Sequence, residues 1–330
     1  MDPSKQEQFM TLIGGFPNRP DLDLEVIDEV DLHGIRRQLV TFQSIEGEHV
    51  EAFVLMPPLL GNTTRPAIVA IHQDGGVRPY RYGKSEVAGL GGDPDLCYGE
   101  ELCARGYVVI CPDRFGFESR SLARSRHRET FEAFAIQSSS DEYPGLDLTE
   151  DLFKGALANK RLFDGWTMLA QELFEVSRAV DVLCTNPRVD AERVGVIGHS
   201  AGGLLAAYAM YVEDRLRVGA ASCGTWLFRD AFQDGHMRPM QGFGGSLAVP
   251  GMRQWGDTNT VLASIAPRPF IERSGDFDVG DEPNELLSDV LAKYRELGNS
   301  DTFDYAAVGG GHRFSIQSRG EVYDWFDCWL

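Results

Sequence analysis

The sequence predicts an α/β protein with a mostly parallel central sheet, an N-terminal antiparallel hairpin, helices on both faces and an inserted lid segment. Two observations favour this class. The continuous apolar runs at 67–71 and 107–111 are typical of strands buried on both faces. Helix-forming stretches alternate with such runs, and residues 169–184 are the clearest, because leucine and valine recur there at helical spacing.

The N-terminal part departs from the parallel pattern. Residues 1–30 are acidic and weakly patterned, which predicts a short helix followed by an extended arm. Apolar and polar residues then alternate over 35–42 and 49–56, with a turn at Glu46 and Gly47 between them. This arrangement predicts an antiparallel hairpin.

The middle of the chain contains the predicted insertion. A buried strand at 67–71, a helix at 95–105 and a strand at 107–111 follow one another in order. No regular alternation continues over about 117–165, where helix formers mix with a polar run. We therefore expect a single domain over 1–330 with a lid-like insertion at 117–165.

The C-terminal half returns to alternating strands and helices. Apolar strands are predicted at 194–198, 218–222, 269–271 and 303–308. The intervening helices are predicted at 204–212 and 285–297, and a last helix at 319–329 covers the sheet.

The feature that indicates chemistry is a Gly-x-Ser-x-Gly motif between an apolar strand and a helix. Its serine is Ser200, and the flanking glycines are Gly198 and Gly202. A side chain at either glycine would collide with neighbouring backbone if the turn is tight enough to expose the hydroxyl. In that setting Ser200 is a candidate nucleophile, which needs a histidine base and a carboxylate to orient the histidine.

The remaining triad candidates follow in the chain order serine, aspartate, histidine. The turn after the strand near 270 contains three candidate acids, Asp276, Asp278 and Asp281. Asp278 is preferred because it is the third residue after Gly275, and Asp276 is second. His312 follows three glycines directly after the last predicted strand. In this interpretation Ser200 attacks an acyl carbonyl and His312 takes its proton.

Acyl transfer also needs N–H donors for the developing oxyanion. The N–H of Ala201, directly after the nucleophile, is one candidate. The turn after the strand at 67–71 supplies the other, and the sequence leaves Gln73 and Asp74 as alternatives.

Aromatic residues past two strand ends are candidates for substrate binding, namely Trp226, Phe115 and Phe117. Arginines occur at 114, 120, 124, 126 and 128 in an otherwise acidic chain. Two interpretations stay open for them: a cationic lid wall facing substrate, or ordinary salt bridges on a solvated helix.

Composition limits the partners. The net charge of −19 argues against nucleic acid and anionic membranes. The start of the chain lacks an apolar leader core and no window resembles a membrane span, so we expect a cytoplasmic protein. The spacing of the histidines and cysteines indicates no metal site, and we expect no cofactor. A small-molecule ester is the expected partner, and the oligomeric state is open, a homodimer included.

Three motifs resemble the α/β-hydrolase fold: the stretch from Gly198 to Gly203, the Gly275-x-x-Asp278 turn and Gly311-His312. Further segments resemble its dienelactone hydrolase and acetyl xylan esterase-like branch, namely His72-Gln73, Gly83-Lys84-Ser85-Glu86, Gly92-Asp93-Pro94 and Arg105-Gly106-Tyr107 to Pro112-Asp113. The resemblance covers about residues 35–330. It implies the fold and the triad, in a branch of carboxylesterases, carbohydrate deacetylases, lactone hydrolases and oligopeptidase catalytic domains.

The sequence therefore predicts a serine carboxylesterase that acts on small to medium acyl esters through an acyl-enzyme. Two alternatives are an oligopeptidase-like peptidase and a non-catalytic ligand-binding protein on the same scaffold. An intact triad favours catalysis. The sequence has no repeats of the kind that form the N-terminal propeller of oligopeptidases, which would need several hundred more residues, and this weighs against the peptidase alternative.

Overall fold

A computed structural model describes residues 3–32, 34–58, 63–74, 82–138, 148–231, 249–276 and 283–330. Within these ranges nine strands form one sheet in the order β1-β2-β3-β5-β4-β6-β7-β8-β9. The strands are β1 (Glu25–Leu32), β2 (Ile35–Gln43), β3 (His49–Met56), β4 (Arg65–Ile71), β5 (Val108–Pro112), β6 (Val189–His199), β7 (Leu216–Ser222), β8 (Phe270–Gly275) and β9 (Phe303–Val308).

The first three strands are antiparallel to their neighbours, and β4 to β9 are mutually parallel. The hairpin predicted over 35–56 is β2–β3, with Val40 opposite Ala52. The predicted mostly parallel sheet with an N-terminal antiparallel hairpin is therefore confirmed.

Helices cover both faces of the sheet. They are α1 (Pro3–Ile13), α2 (Lys84–Val87), α3 (Tyr98–Ala104), α4 (Arg128–Ser138), α5 (Leu148–Phe163), α6 (Met168–Thr185), α7 (Ala201–Val212), α8 (Phe228–Ala231), α9 (Met252–Trp255), α10 (Thr258–Ile265), α11 (Pro283–Glu296) and α12 (Ile316–Trp329).

Strand β4 shows why the central runs are apolar throughout. Ile68 and Ala70 belong to one buried cluster, with residues of α3 and α12, whereas Val69 and Ile71 belong to the other, with residues of α6, α7 and α10. Successive strand residues point to opposite faces, and both faces here are covered by helices.

The N-terminal segment contains more regular secondary structure than the predicted short helix and extended arm. The expected short helix is α1, whose Phe9 is fully buried, with its ring centroid 5.5 Å from that of Tyr211. The arm contains a strand, β1, that pairs antiparallel with β2. The sequence did not reveal it because nearly every side chain of β1 is exposed, so no alternation of apolar and polar residues is required.

The described part of the predicted insertion at 117–165 contains α4 and α5. Phe153 of α5 packs against Phe131 and Phe115, with ring centroids 5.4 and 5.8 Å away. Arg161 donates to Gln171 of α6 at 2.5 Å, which joins α5 to the body of the protein. A lid function for this segment stays a prediction.

Candidate active site

Ser200 lies at the tight turn between β6 and α7. Its backbone has φ +55° and ψ −124°, a strained conformation for a residue with a side chain. A Cβ atom at Gly198 would lie 2.1 Å from the carbonyl oxygen of Gly202, and one at Gly202 would lie 2.3 Å from that of Ile71. Both glycines are therefore required by close backbone approach, as expected from the motif.

His312 lies on the loop after β9 and reaches Ser200. Its Nε2 is 2.8 Å from Ser200 Oγ, although 112 positions separate the two residues in sequence. Gly310 and Gly311 have φ +112° and +76°, a region that favours glycine, so the run before the histidine is explained by backbone conformation. The structure thus brings the predicted nucleophile and base within hydrogen-bonding distance.

The preferred acid, Asp278, lies outside the described residues, and its role stays a prediction. The second candidate, Asp276, directly follows β8. Its Oδ1 accepts a hydrogen bond from the Gly311 N–H at 2.5 Å. Asp276 therefore contacts the loop that carries His312, through the backbone.

Cys223, at the end of β7, was not identified from the sequence. It is fully buried and has φ +54°. Its Sγ accepts from the Gly275 N–H at 3.2 Å and donates to the Arg313 carbonyl at 3.8 Å. The thiol therefore joins the turn before Asp276 to the residue after His312, a contact between distant segments for which the sequence offers no signal.

His199 is a buried histidine that lies beside His312. Its Nδ1 is 3.0 Å from Ser222 Oγ, and its ring centroid is 4.9 Å from that of His312. On another side it stacks parallel to Phe314. Burial, together with the nearby His312, lowers the pKa of His199 to about 3, so this imidazole is neutral at physiological pH.

The predicted oxyanion turn begins at His72, directly after β4. Gln73 donates its side-chain amide to Glu86 Oε2 at 3.2 Å. Asp74 accepts from Arg114 Nη1 at 2.8 Å. Ala201, the other predicted donor, is the first residue of α7, where backbone N–H groups lack helical partners. Gly75 and Gly76, which continue the turn, lie outside the described residues.

The turn is supported by buried charges. Arg114 Nη2 lies 3.1 Å from Glu172, and both side chains are nearly inaccessible. Burial acts to raise the pKa of Asp74, but Lys154 and Arg114 hold it below its ordinary value. The Asp74 carboxylate is therefore ionised and directed toward these cations.

The aromatic candidates lie in different surroundings. Trp226 is half-buried just past β7, with its ring 6.4 Å from that of Phe228. Phe115 is half-buried against Phe153. Phe117 is 2% exposed and packs its ring 4.8 Å from His72, so it supports the turn from inside. Substrate contact for all three stays a prediction.

The arginines divide into two groups. Arg114 and Arg120 form buried ion pairs, the latter with Glu175 at 2.6 Å, and so fit neither a lid wall nor a solvated helix. Arg128 is exposed and pairs with Glu132 one helical turn away, as the salt-bridge interpretation expects. The sequence could not separate the groups because both stand in one polar stretch.

The described residues contain neither a cluster of metal ligands nor a helix that could span a membrane. No group of three or more histidine, cysteine, aspartate or glutamate side chains there is arranged to hold a metal ion. In the same ranges, none of the helices combines the length and apolar character needed to cross a bilayer.

This sheet, with a serine at the turn after β6 and a histidine after β9, defines an α/β hydrolase. A family model described as the alpha/beta hydrolase family matches residues 88–311, more than half of the chain, which therefore belongs to this family. The resemblance inferred from the motifs is confirmed. A curated protein of Bacillus subtilis (strain 168), named "Putative hydrolase YtaP", is 23% identical, and the alignment covers 100% of both chains.

Solved structures of esterases share the fold. One, from Bacteroides fragilis NCTC 9343, is described as a "putative acetyl xylan esterase"; it is 18% identical, with a TM-score of 0.67 over 93% of this chain and 74% of the other. A glucuronoyl esterase from Solibacter usitatus is 17% identical, with a TM-score of 0.66 over 98% of this chain and 91% of the other. At these identities the likeness concerns the fold.

Proposed function

We propose that this hydrolase cleaves carboxylic esters of small to medium acyl groups, with Ser200 as nucleophile and His312 as base. The observation that carries the proposal is the 2.8 Å contact between Ser200 Oγ and His312 Nε2 at a strained turn. A hydroxyl so placed can lose its proton to the imidazole as it attacks.

The proposed reaction has two steps, acylation of Ser200 and hydrolysis of the acyl-enzyme. In the first, Ser200 Oγ bonds to the acyl carbon while His312 Nε2 takes its proton, and the tetrahedral oxyanion is held by the N–H of Ala201 and an N–H of the 73–74 turn. The ester C–O bond then breaks and His312 protonates the leaving alcohol. In the second step His312 takes a proton from a water molecule as the water oxygen bonds to the acyl carbon. The bond between that carbon and Ser200 Oγ then breaks, His312 returns the proton to Ser200 Oγ, and the acid leaves. Asp278 is assigned to orient the imidazole.

Ester substrates are favoured over peptides by the names of the similar structures, a "putative acetyl xylan esterase" and a glucuronoyl esterase. These names support the ester class and leave the acyl and alcohol groups open. A peptidase and a non-catalytic binding protein are the alternatives that the experiment must separate.

The test is hydrolysis of p-nitrophenyl esters of increasing acyl length by the wild type and Ser200→Ala, with phosphonate labelling followed by mass spectrometry. We expect the wild type to turn over short and medium esters and to gain one phosphonyl group on Ser200, and the variant to do neither.

The other outcomes are equally informative. Labelling without ester turnover would keep the nucleophile and move the substrate class toward peptides. A wild type that is neither labelled nor active would contradict the proposal and favour a binding protein.

A further inference from the structure

The sequence left open whether Gln73 or Asp74 donates the second oxyanion hydrogen bond, and the contacts of the turn distinguish them. Both peptide bonds of the turn are trans, since the only cis bond among the described residues is Ala266–Pro267. In a trans peptide the carbonyl and the following N–H point in opposite directions. Fixing the carbonyls of His72 and Gln73 therefore fixes the N–H groups of Gln73 and Asp74.

The carbonyl of His72 faces the nucleophile turn. A Cβ atom at Gly202 would lie 2.6 Å from this oxygen, so the oxygen is in close contact with the start of α7. Arg114 Nη1 also approaches it, at 3.4 Å. Because this carbonyl oxygen lies against Gly202, the N–H of Gln73 on the same peptide is directed away from the start of α7.

The ring of His72 orients the next peptide, which joins Gln73 to Asp74. The backbone N–H of Arg114 donates to His72 Nε2 at 2.9 Å, so Nε2 carries no proton. The ring proton is then on Nδ1, which donates to the Gln73 carbonyl at 2.7 Å. The N–H of Asp74 consequently points away from this ring, which packs inside against Phe117.

The tautomer is stable because the ring does not become charged near neutral pH. Burial, and then the charge of Arg114, lower the pKa of His72 to about 3. Arg114 is itself fixed by Glu172 and holds the Asp74 carboxylate at 2.8 Å. One buried residue thus contacts His72 through its backbone and Asp74 through its guanidinium.

We infer that Arg114, acting with His72, is a positioning residue that orients the turn so that the N–H of Asp74, and not that of Gln73, faces the acyl oxygen. The inference rests on the proposed function, because it assigns a donor for the same oxyanion. Its elements are the four contacts of Arg114 and His72 with the turn.

The first experiment compares Arg114→Lys with the matched control Arg120→Lys. Lysine keeps the charge but lacks the planar fork needed to hold Asp74, Glu172 and the turn together. We expect kcat for a p-nitrophenyl ester to fall roughly 10- to 100-fold with KM nearly unchanged. Affinity for a trifluoromethyl ketone, which forms an oxyanion on the serine, should fall in parallel.

Arg120 is a suitable control because it is also buried and ion-paired, to Glu175, and contacts none of residues 72–74. Arg120→Lys should lower the melting temperature comparably while kcat stays within about threefold of the wild type. An unchanged kcat in Arg114→Lys, or an equal loss in both variants, would overturn the assignment.

The second experiment identifies the donor directly. Replacing one backbone N–H by an ester oxygen at position 74 should lower kcat by roughly 100-fold, the usual effect of losing one oxyanion donor. The same replacement at position 73 should cost far less. Equal losses, or a larger loss at 73, would contradict the orientation of the two peptides.

A third measurement does not depend on turnover. The imidazole ¹⁵N shifts of His72 at neutral pH should show a protonated Nδ1 and a bare Nε2. A proton on Nε2 would overturn the inference whatever the activity. The expected tautomer in a wild type that hydrolyses no ester would count against the proposed function instead.

Discussion

The two sides of the candidate site are held by different forces. On the nucleophile side Ser200 is fixed by close backbone packing at Gly198 and Gly202, beside the neutral His199. On the proposed oxyanion side the turn at Asp74 is fixed by the buried charges around Arg114. A larger side chain should therefore disrupt the side that contains Ser200. A change in hydrogen-bonding geometry should disrupt the side that contains Asp74.

The largest expected effect is on the nucleophile side. His312→Ala removes the proposed base, and hydrolysis should fall by a factor on the order of 10⁴ or more. Because His312 is exposed, unfolding by urea should be nearly unchanged. The exposed His127 is the control, and His127→Ala should keep full activity. A comparable loss in both variants, or none in His312→Ala, would contradict the role of the base.

The two aspartates near β8 should behave differently. If Asp278 is the triad acid, Asp278→Asn removes the charge proposed to orient His312, and kcat should fall by roughly 10³ to 10⁴. In Asp276→Asn the side-chain oxygen can still accept from the Gly311 N–H, so the loss should be less than about tenfold. Similar losses at both positions would contradict the assignment of Asp278 and make Asp276 the candidate acid.

Added volume should destabilise the nucleophile side. In Gly202→Ala the new methyl group would meet the Ile71 carbonyl, and the free energy of unfolding should fall by about 2–4 kcal/mol. Gly155→Ala in α5 meets nothing within 4 Å, and there the helix should gain about 0.5–1 kcal/mol. Chemical unfolding curves measure both changes. If Gly202→Ala were neutral, close packing would not explain why glycine stands at this position of the turn.

Both sides contain a buried neutral histidine, and this predicts a pH dependence of stability. His72 and His199 have folded pKa values of about 3, against 6.5 ordinarily. Between those values the unfolded chain binds protons that the folded chain does not. The contribution of each neutral histidine to the free energy of unfolding is therefore fully present above about pH 6.5 and is lost as the pH is lowered. Each histidine should contribute a loss of about 1.4 kcal/mol per pH unit.

The measurement is urea unfolding at pH 7.5, 6 and 5. In His199→Phe the pH dependence of the unfolding free energy should be smaller by about 1.4 kcal/mol per unit over pH 5–6. An unchanged slope would show that this ring is protonated in the folded protein.

Sequence reasoning succeeded where the signal is local. The strand before Ser200, its flanking glycines and the glycine run before His312 are contiguous patterns, and each reflects a backbone requirement at that position. The parallel strands were equally clear, because burial on both faces requires apolar residues throughout.

The remaining features depend on contacts between distant segments. Cys223 joins the residues beside Asp276 and His312, and Arg114 meets Glu172, which lies 58 positions away. A cysteine or an arginine at a strand end has many roles, and its neighbours decide which one applies. The strand β1 was missed for the opposite reason, since an exposed strand needs no apolar face.

That strand affects how the protein behaves in concentrated solution. Within the described residues β1 pairs with β2 alone, and an unpaired strand edge invites backbone pairing with another chain. Four of its eight residues are carboxylates, namely Glu25, Asp28, Glu29 and Asp31. Two such edges would repel each other at neutral pH, and screening by salt or acidification would weaken that repulsion. The carboxylates of β1 thus oppose edge-to-edge pairing between two copies of the protein.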